Sequence, residues 1–170
     1  PLWGRAMTLI RELDPQTDAA AVRSLQDRAA DYLDLETGEP PGDATVAEFF
    51  EPAPFVTDPA DNLKLGLFSG GRLDAIADLA FGFPEPQDAF IGLLLIAADR
   101  RSHGLGHLFV NHMAEVARAR HAPSLFIAVL EANPKARAFW EREGFVQVLK
   151  SPPAQMGRRT HIRYRMERRL

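Results

Sequence analysis

Cysteine is absent from this chain of 170 residues, which excludes a disulfide framework, a thiolate zinc site and a cysteine nucleophile together. Long apolar runs are missing as well. The longest, Ala89 to Ala98, is ten residues, well short of the ~20 that span a bilayer as a helix. No basic segment followed by an apolar one opens the chain, so no secretory signal is expected. A cytoplasmic location without a membrane partner follows as the expectation. The sequence pI is near 6.0, and the arginines are not interleaved with aromatic residues as a stacking platform requires, so nucleic acid is not an expected partner.

What remains is an ordinary globular composition, 46% hydrophobic and 25% charged, in a length that suits one domain. A chain of this size buries about two-thirds of its unfolded surface and needs no metal or disulfide staple. Pro1 to Ala6 precede Met7, a residue that can start translation. Residues 1–6 are therefore expected to be a lead outside the fold, and residues 7–170 a single domain. The net charge of −3 hides a division: residues 1–85 carry −10 and residues 86–170 carry +7. An anionic partner suits the second half, and a cationic one suits the first.

No internal repeat or linker divides the chain. Asp14-Pro15 reads as a cap and first-turn pair, followed by Val22, Leu25, Ala29 and Leu33 at helical spacing. Gly38 to Gly42 is a break, and a short helix from about Ala44 to Glu51 ends before Pro52. Leu63 to Phe68 and Leu73 to Phe83 flank Ser69-Gly70-Gly71-Arg72 as a hairpin. Phe90 to Ala97 is an uninterrupted apolar strand of the kind covered on both faces. From His103 to about Arg120 the period becomes helical, with Leu105, Leu108, Phe109, Met113, Val116 and Ala117 in one stripe. Leu125 to Leu130 is a further strand, and Asn133-Pro134 opens a short helix that Gly144 closes. Phe145 to Leu149 and His161 to Met166 are the last two strands, joined through Pro152-Pro153. The fold class expected is mixed α/β, a central mixed sheet with helices on its faces.

The chemistry concentrates in Arg101-Ser102-His103-Gly104-Leu105-Gly106, between a buried strand and a helix. Two glycines allow close approach of main chain to a ligand. The first helical turn offers unpaired N–H groups at the positive end of the helix dipole, a site for phosphate oxygens. Arg100 and Arg101 add full positive charge at the same place. A P-loop is rejected because His107 follows Gly106 where Lys is needed. A dinucleotide fingerprint is rejected because Phe109 stands at the third glycine position.

Arg101, Gly104 and Gly106 instead fit the Arg/Gln-x-x-Gly-x-Gly/Ala loop of the GNAT N-acetyltransferase superfamily. Asn133, Ala136, Phe139, Trp140, Gly144 and Phe145 match that family's second signature in register. Ile91 to Ile96 resembles its central strand. The resemblance is specific over about Phe90 to Val148. It implies a sheet whose central strand bulges and splays from its neighbour, opening a slot for the pantetheine arm of acetyl-CoA.

The resemblance also implies roles. Main-chain groups of Leu94 and Ile96 would bond the pantetheine amides. Those of Ser102, His103, Gly104, Leu105, Gly106 and His107 would hold the diphosphate, with Arg101 beside them. Asn133, Ala136, Phe139 and Trp140 would line the arm. No metal is implied. Many relatives carry a Tyr at the position of Trp140 to protonate the leaving thiolate, a task indole does not perform. Some carry a Glu base where this chain has Phe90. The base that neutralises an acceptor ammonium is then sought in Asp78, Asp31 or Tyr32, which are also the expected acceptor-binding residues. The acidic set Asp31, Asp34, Glu36, Glu39, Asp43 and Glu48 would draw an amine toward the first helices. The expected activity is acetyl transfer from acetyl-CoA to a primary amine, by direct attack in a ternary complex. The alternative is a non-catalytic acyl-CoA-binding module on the same fold. A homodimer is open, with no seam legible in the sequence.

Overall fold

The computed structural model describes residues 7–170; the expectation for residues 1–6 lies outside the described residues. The elements run β1 (Thr8–Glu12), α1 (Ala19–Arg28), α2 (Ala30–Thr37), α3 (Asp43–Phe50), β2 (Asn62–Ser69), β3 (Arg72–Phe81), β4 (Ala89–Ile96), α4 (Leu105–Ala119), β5 (Ser124–Leu130), α5 (Pro134–Arg142), β6 (Val146–Lys150), β7 (Ala154–Met156), β8 (Arg159–His161) and β9 (Arg163–Arg169). Seven strands form one sheet in the order β1-β2-β3-β4-β5-β9-β6, and β7 and β8 form a separate ribbon. Every neighbour in the large sheet is antiparallel except β4 and β5. This is the mixed α/β architecture expected. No helix among the described residues is long and apolar enough to cross a membrane.

The helices cover both faces. On one, Val22, Leu25, Val46 and Phe49 of α1 and α3 pack on Leu73, Ile76 and Leu95. On the other, Phe109, Val110 and Met113 of α4 pack on Ala75, Ala77, Leu79, Ile91 and Ile127. Burial of this kind contributes about 1.5–3 kcal/mol for each large side chain removed from water.

Four differences from the sequence reading have local causes. The first strand, β1, is an addition; it pairs with β2 along Thr8 to Glu12, although its burial does not alternate. The first helix begins at Ala19 rather than after Asp14. Asp14 caps only a turn, its Oδ1 accepting the N–H groups of Gln16 at 2.7 Å and Thr17 at 2.9 Å. The helical stripe is broken at Ala29 (φ −127°), which separates α1 from α2. Finally, the segment between β6 and β9 holds the β7–β8 ribbon, which docks on the end of α2. There Arg158 N–H donates to the Thr37 carbonyl at 2.8 Å, and buried His161 Nε2 lies 2.9 Å from the Leu35 and Glu36 carbonyls.

Candidate active site

Strand β4 is where the sheet opens. It pairs with β5 through Ala89, Phe90 and Ile91, opposite Leu125, Phe126 and Ile127, and not beyond, although both strands continue to Ile96 and Leu130. On its other side β4 carries a bulge. Asp78 faces Leu93 and Leu79 faces Ile91, so Gly92 is the extra residue. Such an insertion bends a strand and changes which side chains share a face. Thus Ile91, Leu94 and Ile96 pack with the α4 layer, while Leu93 and Leu95 pack with the α1–α3 layer.

Main-chain groups line the parted edge. Ala97 N–H donates to the Asp74 carbonyl at 3.0 Å. Antiparallel alternation then turns the N–H and C=O groups of Leu94 and Ile96 away from β3, toward the gap. The Ile96 carbonyl accepts Arg101 Nε at 3.2 Å. A cavity of about 60 Å³ lies in the gap, lined among others by Leu94, Val129, Asn133, Ala136 and Trp140. Asn133 caps α5, its Oδ1 accepting Ala136 N–H at 3.1 Å. Trp140 is buried and meets Phe139 and Phe145 edge-on, with centroids 5.0 and 5.1 Å apart.

The loop from Arg101 to Gly106 closes one end of the gap. Ser102 (φ 63°) and Gly104 (φ 80°) are both left-handed, a turn conformation that arrays successive N–H groups around a concavity. Among the described residues no side chain caps α4, so its first-turn N–H groups have no helical or capping partner. A Cβ at Gly104 would meet nothing within 4 Å, whereas one at Gly106 would lie 3.0 Å from the Phe139 ring and 3.2 Å from Ile96. Gly104 is therefore demanded by its conformation and faces open space. At Gly106 a side chain would be crowded by packing against Phe139 and Ile96.

The arginines expected to add full positive charge here are paired with carboxylates. Arg100 Nε lies 3.1 Å from Asp74, which is 1% exposed and also binds Arg28 at 2.8 Å and Arg72 at 3.1 Å. Burial opposes ionisation of Asp74, but the Arg28 hydrogen bond and the Arg72 charge prevail and hold its carboxyl below the ordinary range. Arg101 forms a two-pronged pair with Asp31 of α2. His103 Nδ1 lies 2.7 Å from the Arg101 carbonyl. The exposed His107 ring faces Glu143 at 2.9 Å, away from the loop.

A larger cleft of about 490 Å³ lies on the α1–α3 side. Tyr32, Gly92 and Leu93 line both this cleft and the small cavity in the gap, so the two meet at the bulge. Of the six acids expected here, Glu36, Glu39 and Glu48 line the cleft, joined by Glu51. Asp31, Asp34 and Asp43 instead pair with Arg101, Arg159 and Arg23. Burial first, then the negative charge of Glu36, pushes the Tyr32 phenol above its ordinary pKa, so it stays a neutral O–H. Asp78 lines the cleft. Two residues the sequence reading does not single out hold it: Asn62 Nδ2 donates to Asp78 Oδ1, and Lys64 Nζ lies 3.3 Å from the same oxygen.

The Acetyltransferase (GNAT) family profile matches residues 24–145. No curated protein matches this chain significantly. Solved structures share the fold over nearly the whole length. An acetyltransferase from Thermus thermophilus is 25% identical with a TM-score of 0.80, over 98% of this chain and 99% of that one. The ribosomal-protein-S18-alanine N-acetyltransferase from Escherichia coli is 21% identical with a TM-score of 0.71, over 96% and 94%. A probable acetyltransferase from Staphylococcus epidermidis is 16% identical with a TM-score of 0.75, over 96% and 99%. With a profile match across most of its length and a sheet parted beside an uncapped helix start, this chain belongs to the GNAT acetyltransferase family.

Proposed function

We propose that this protein transfers the acetyl group of acetyl-CoA to a primary amine held in the acidic cleft. The observation that carries the reading is the junction at Tyr32, Gly92 and Leu93, where the gap between β4 and β5 opens into the cleft. A thioester threaded through the gap and an amine in the cleft would meet there. Holding the two reactants in contact supplies much of the rate, because effective molarities of well-oriented pairs reach about 10⁵ M and above.

The residues divide the work by position. Main-chain N–H groups from Ser102 to His107 would bind the diphosphate, and the main-chain groups of Leu94 together with the Ile96 N–H would bond the pantetheine amides. The side-chain amide of Asn133 is left to touch the arm while its Oδ1 caps α5. Ala136, Phe139 and Trp140 would bound the apolar side of the arm. An exposed N–H at the parted edge would polarise the thioester carbonyl. Asp78 and Tyr32 stand at the junction as candidates for handling the acceptor proton. With no cysteine in the chain, transfer is direct, in a ternary complex.

Thiol release from acetyl-CoA with a panel of primary amines, alcohols and anionic acceptors tests this function. Turnover of amines is expected. Turnover confined to alcohols or anionic acceptors contradicts it.

A further inference from the structure

Asp78 has two unequal oxygens. Oδ1 is occupied twice, by Asn62 Nδ2 and by Lys64 Nζ at 3.3 Å. Oδ2 accepts no hydrogen bond among the described residues, and it points across the sheet to the bulge, where a Cβ added to Gly92 would lie 2.9 Å from it. Lys64 and Leu93 flank Asp78 in register on the two neighbouring strands. The carboxylate thus lies across the strand boundary, with its free oxygen over the point where cleft and gap join.

The partners that hold Oδ1 are themselves held. Asn62 Oδ1 accepts Ala53 N–H at 2.7 Å, and Lys64 Nζ donates to the Glu51 carbonyl at 2.7 Å. Both therefore fasten the segment after α3, which forms one wall of the cleft, to the same carboxylate. Lys64 and Asp78 are little exposed, 12% and 17% in their side chains, so solvent does not loosen the arrangement.

We infer that Asp78 is the general base of the acetyl transfer through Oδ2, with Asn62 and Lys64 as the residues that position it and Gly92 left bare to make room. This rests on the acetyltransferase reading above. In the step, the amine nitrogen forms a bond to the acetyl carbon and the C–S bond breaks, releasing CoA thiolate. The acceptor arrives as an ammonium: Asp78 Oδ2 takes one of its protons before the attack and passes it to solvent, and the second proton, lost from the nitrogen after the attack, goes to the released thiolate. The neutral Tyr32 hydroxyl at the same junction orients the acceptor and takes no proton.

The test measures steady-state acetylation and CoA binding on full-length variants. Asp78→Asn keeps the shape of the side chain, so CoA should bind within about two-fold of wild type while kcat falls by about 10²–10⁴. Formate added to Asp78→Ala should restore part of the lost rate, which a purely structural carboxylate would not show. Lys64→Met should lower kcat with the KM for acetyl-CoA unchanged, and Lys64→Arg should recover most of it. An active wild type whose Asp78→Asn variant keeps its rate overturns the assignment alone. So does rate lost together with CoA binding and not restored by formate. A wild type that binds CoA but acetylates no amine overturns the functional reading and takes this assignment with it.

Discussion

Arg101 in the loop before α4 grips Asp31 on α2 with both prongs, Nη1 to Oδ2 at 2.5 Å and Nη2 to Oδ1 at 3.0 Å. The pair ties the phosphate-type loop to the helix that carries Tyr32, while Arg101 Nε fastens the end of β4 through the Ile96 carbonyl. Loop, central strand and cleft wall are thereby joined by one side chain.

Removing the acid releases the guanidinium toward the loop. The two side chains are 38% and 60% exposed, so the pair contributes no more than about 1 kcal/mol to stability. Asp31→Asn should therefore unfold in urea close to wild type, and calorimetry should show CoA bound up to about five-fold more tightly, the equivalent of ~1 kcal/mol. Weakened CoA binding would contradict this. The Arg101 hydrogen bond holds the Asp31 carboxyl below its ordinary value, so in wild type the pair persists above the ordinary carboxylate range and is lost as pH falls through the lowered pKa.

A second pair governs acid stability. Arg11 donates to both oxygens of Asp18 at 2.9 Å, and Asp14 N–H donates to Oδ2 at 2.7 Å. The Arg11 hydrogen bond, against the opposing effect of burial, brings the Asp18 pKa down to about 2. The folded value lies below the unfolded one, so the stabilisation is present at neutral pH and fades as pH falls through 4 toward 2. Asp18→Asn should cost about 1–2 kcal/mol in urea denaturation at pH 7 and roughly half that at pH 3. A cost that is constant with pH would be the contrary result.

The sequence carries the second signature and the loop legibly because both depend on local pattern. Asn133-Pro134 places a cap and a first-turn proline side by side, and Gly104 supplies a positive φ. The Asp78 clamp is illegible for a definite reason. Counting back from the Ser69–Arg72 turn places Lys64 opposite Ala77. A bulge at Asp74 shifts the register by one, so Leu67 faces Ala75 and Lys64 faces Asp78. Nothing in the spacing of β2 and β3 announces that insertion, just as nothing in the apolar run Ala89–Ile96 announces the one at Gly92. Asp31 escapes the sequence for another reason: its partner Arg101 is 70 residues away, and sequence proximity to Tyr32 suggests a shared role in the cleft.

The two glycines of the loop should separate by experiment. At Gly106 the added methyl of Ala crowds Phe139 and Ile96, so Gly106→Ala should lose about 1–3 kcal/mol of stability. At Gly104 the methyl meets open space at φ 80°, costing about 1–2 kcal/mol in backbone strain but projecting where the diphosphate would lie. Urea denaturation and CoA calorimetry on both variants check the contrast. A Gly104→Ala variant with unaltered CoA affinity would count against the loop assignment.

Tyr32 at the junction and Trp140 in the gap should both prove dispensable for proton transfer. Trp140→Phe and Tyr32→Phe should each keep kcat within about ten-fold of wild type, below the 10²–10⁴ that loss of a general acid or base costs. Burial keeps the Tyr32 phenol above its ordinary pKa, so the basic limb of the pH–rate profile should not move in Tyr32→Phe. A displaced limb would assign the proton to that hydroxyl instead.

The most direct measurement is a crystal structure of the protein with CoA bound. Diphosphate oxygens should lie within about 3 Å of main-chain N–H groups between Ser102 and His107, with the pantetheine arm between β4 and β5 and the thiol near Gly92. A nucleotide bound elsewhere, or β4 and β5 paired along their whole length around an empty loop, would contradict the account.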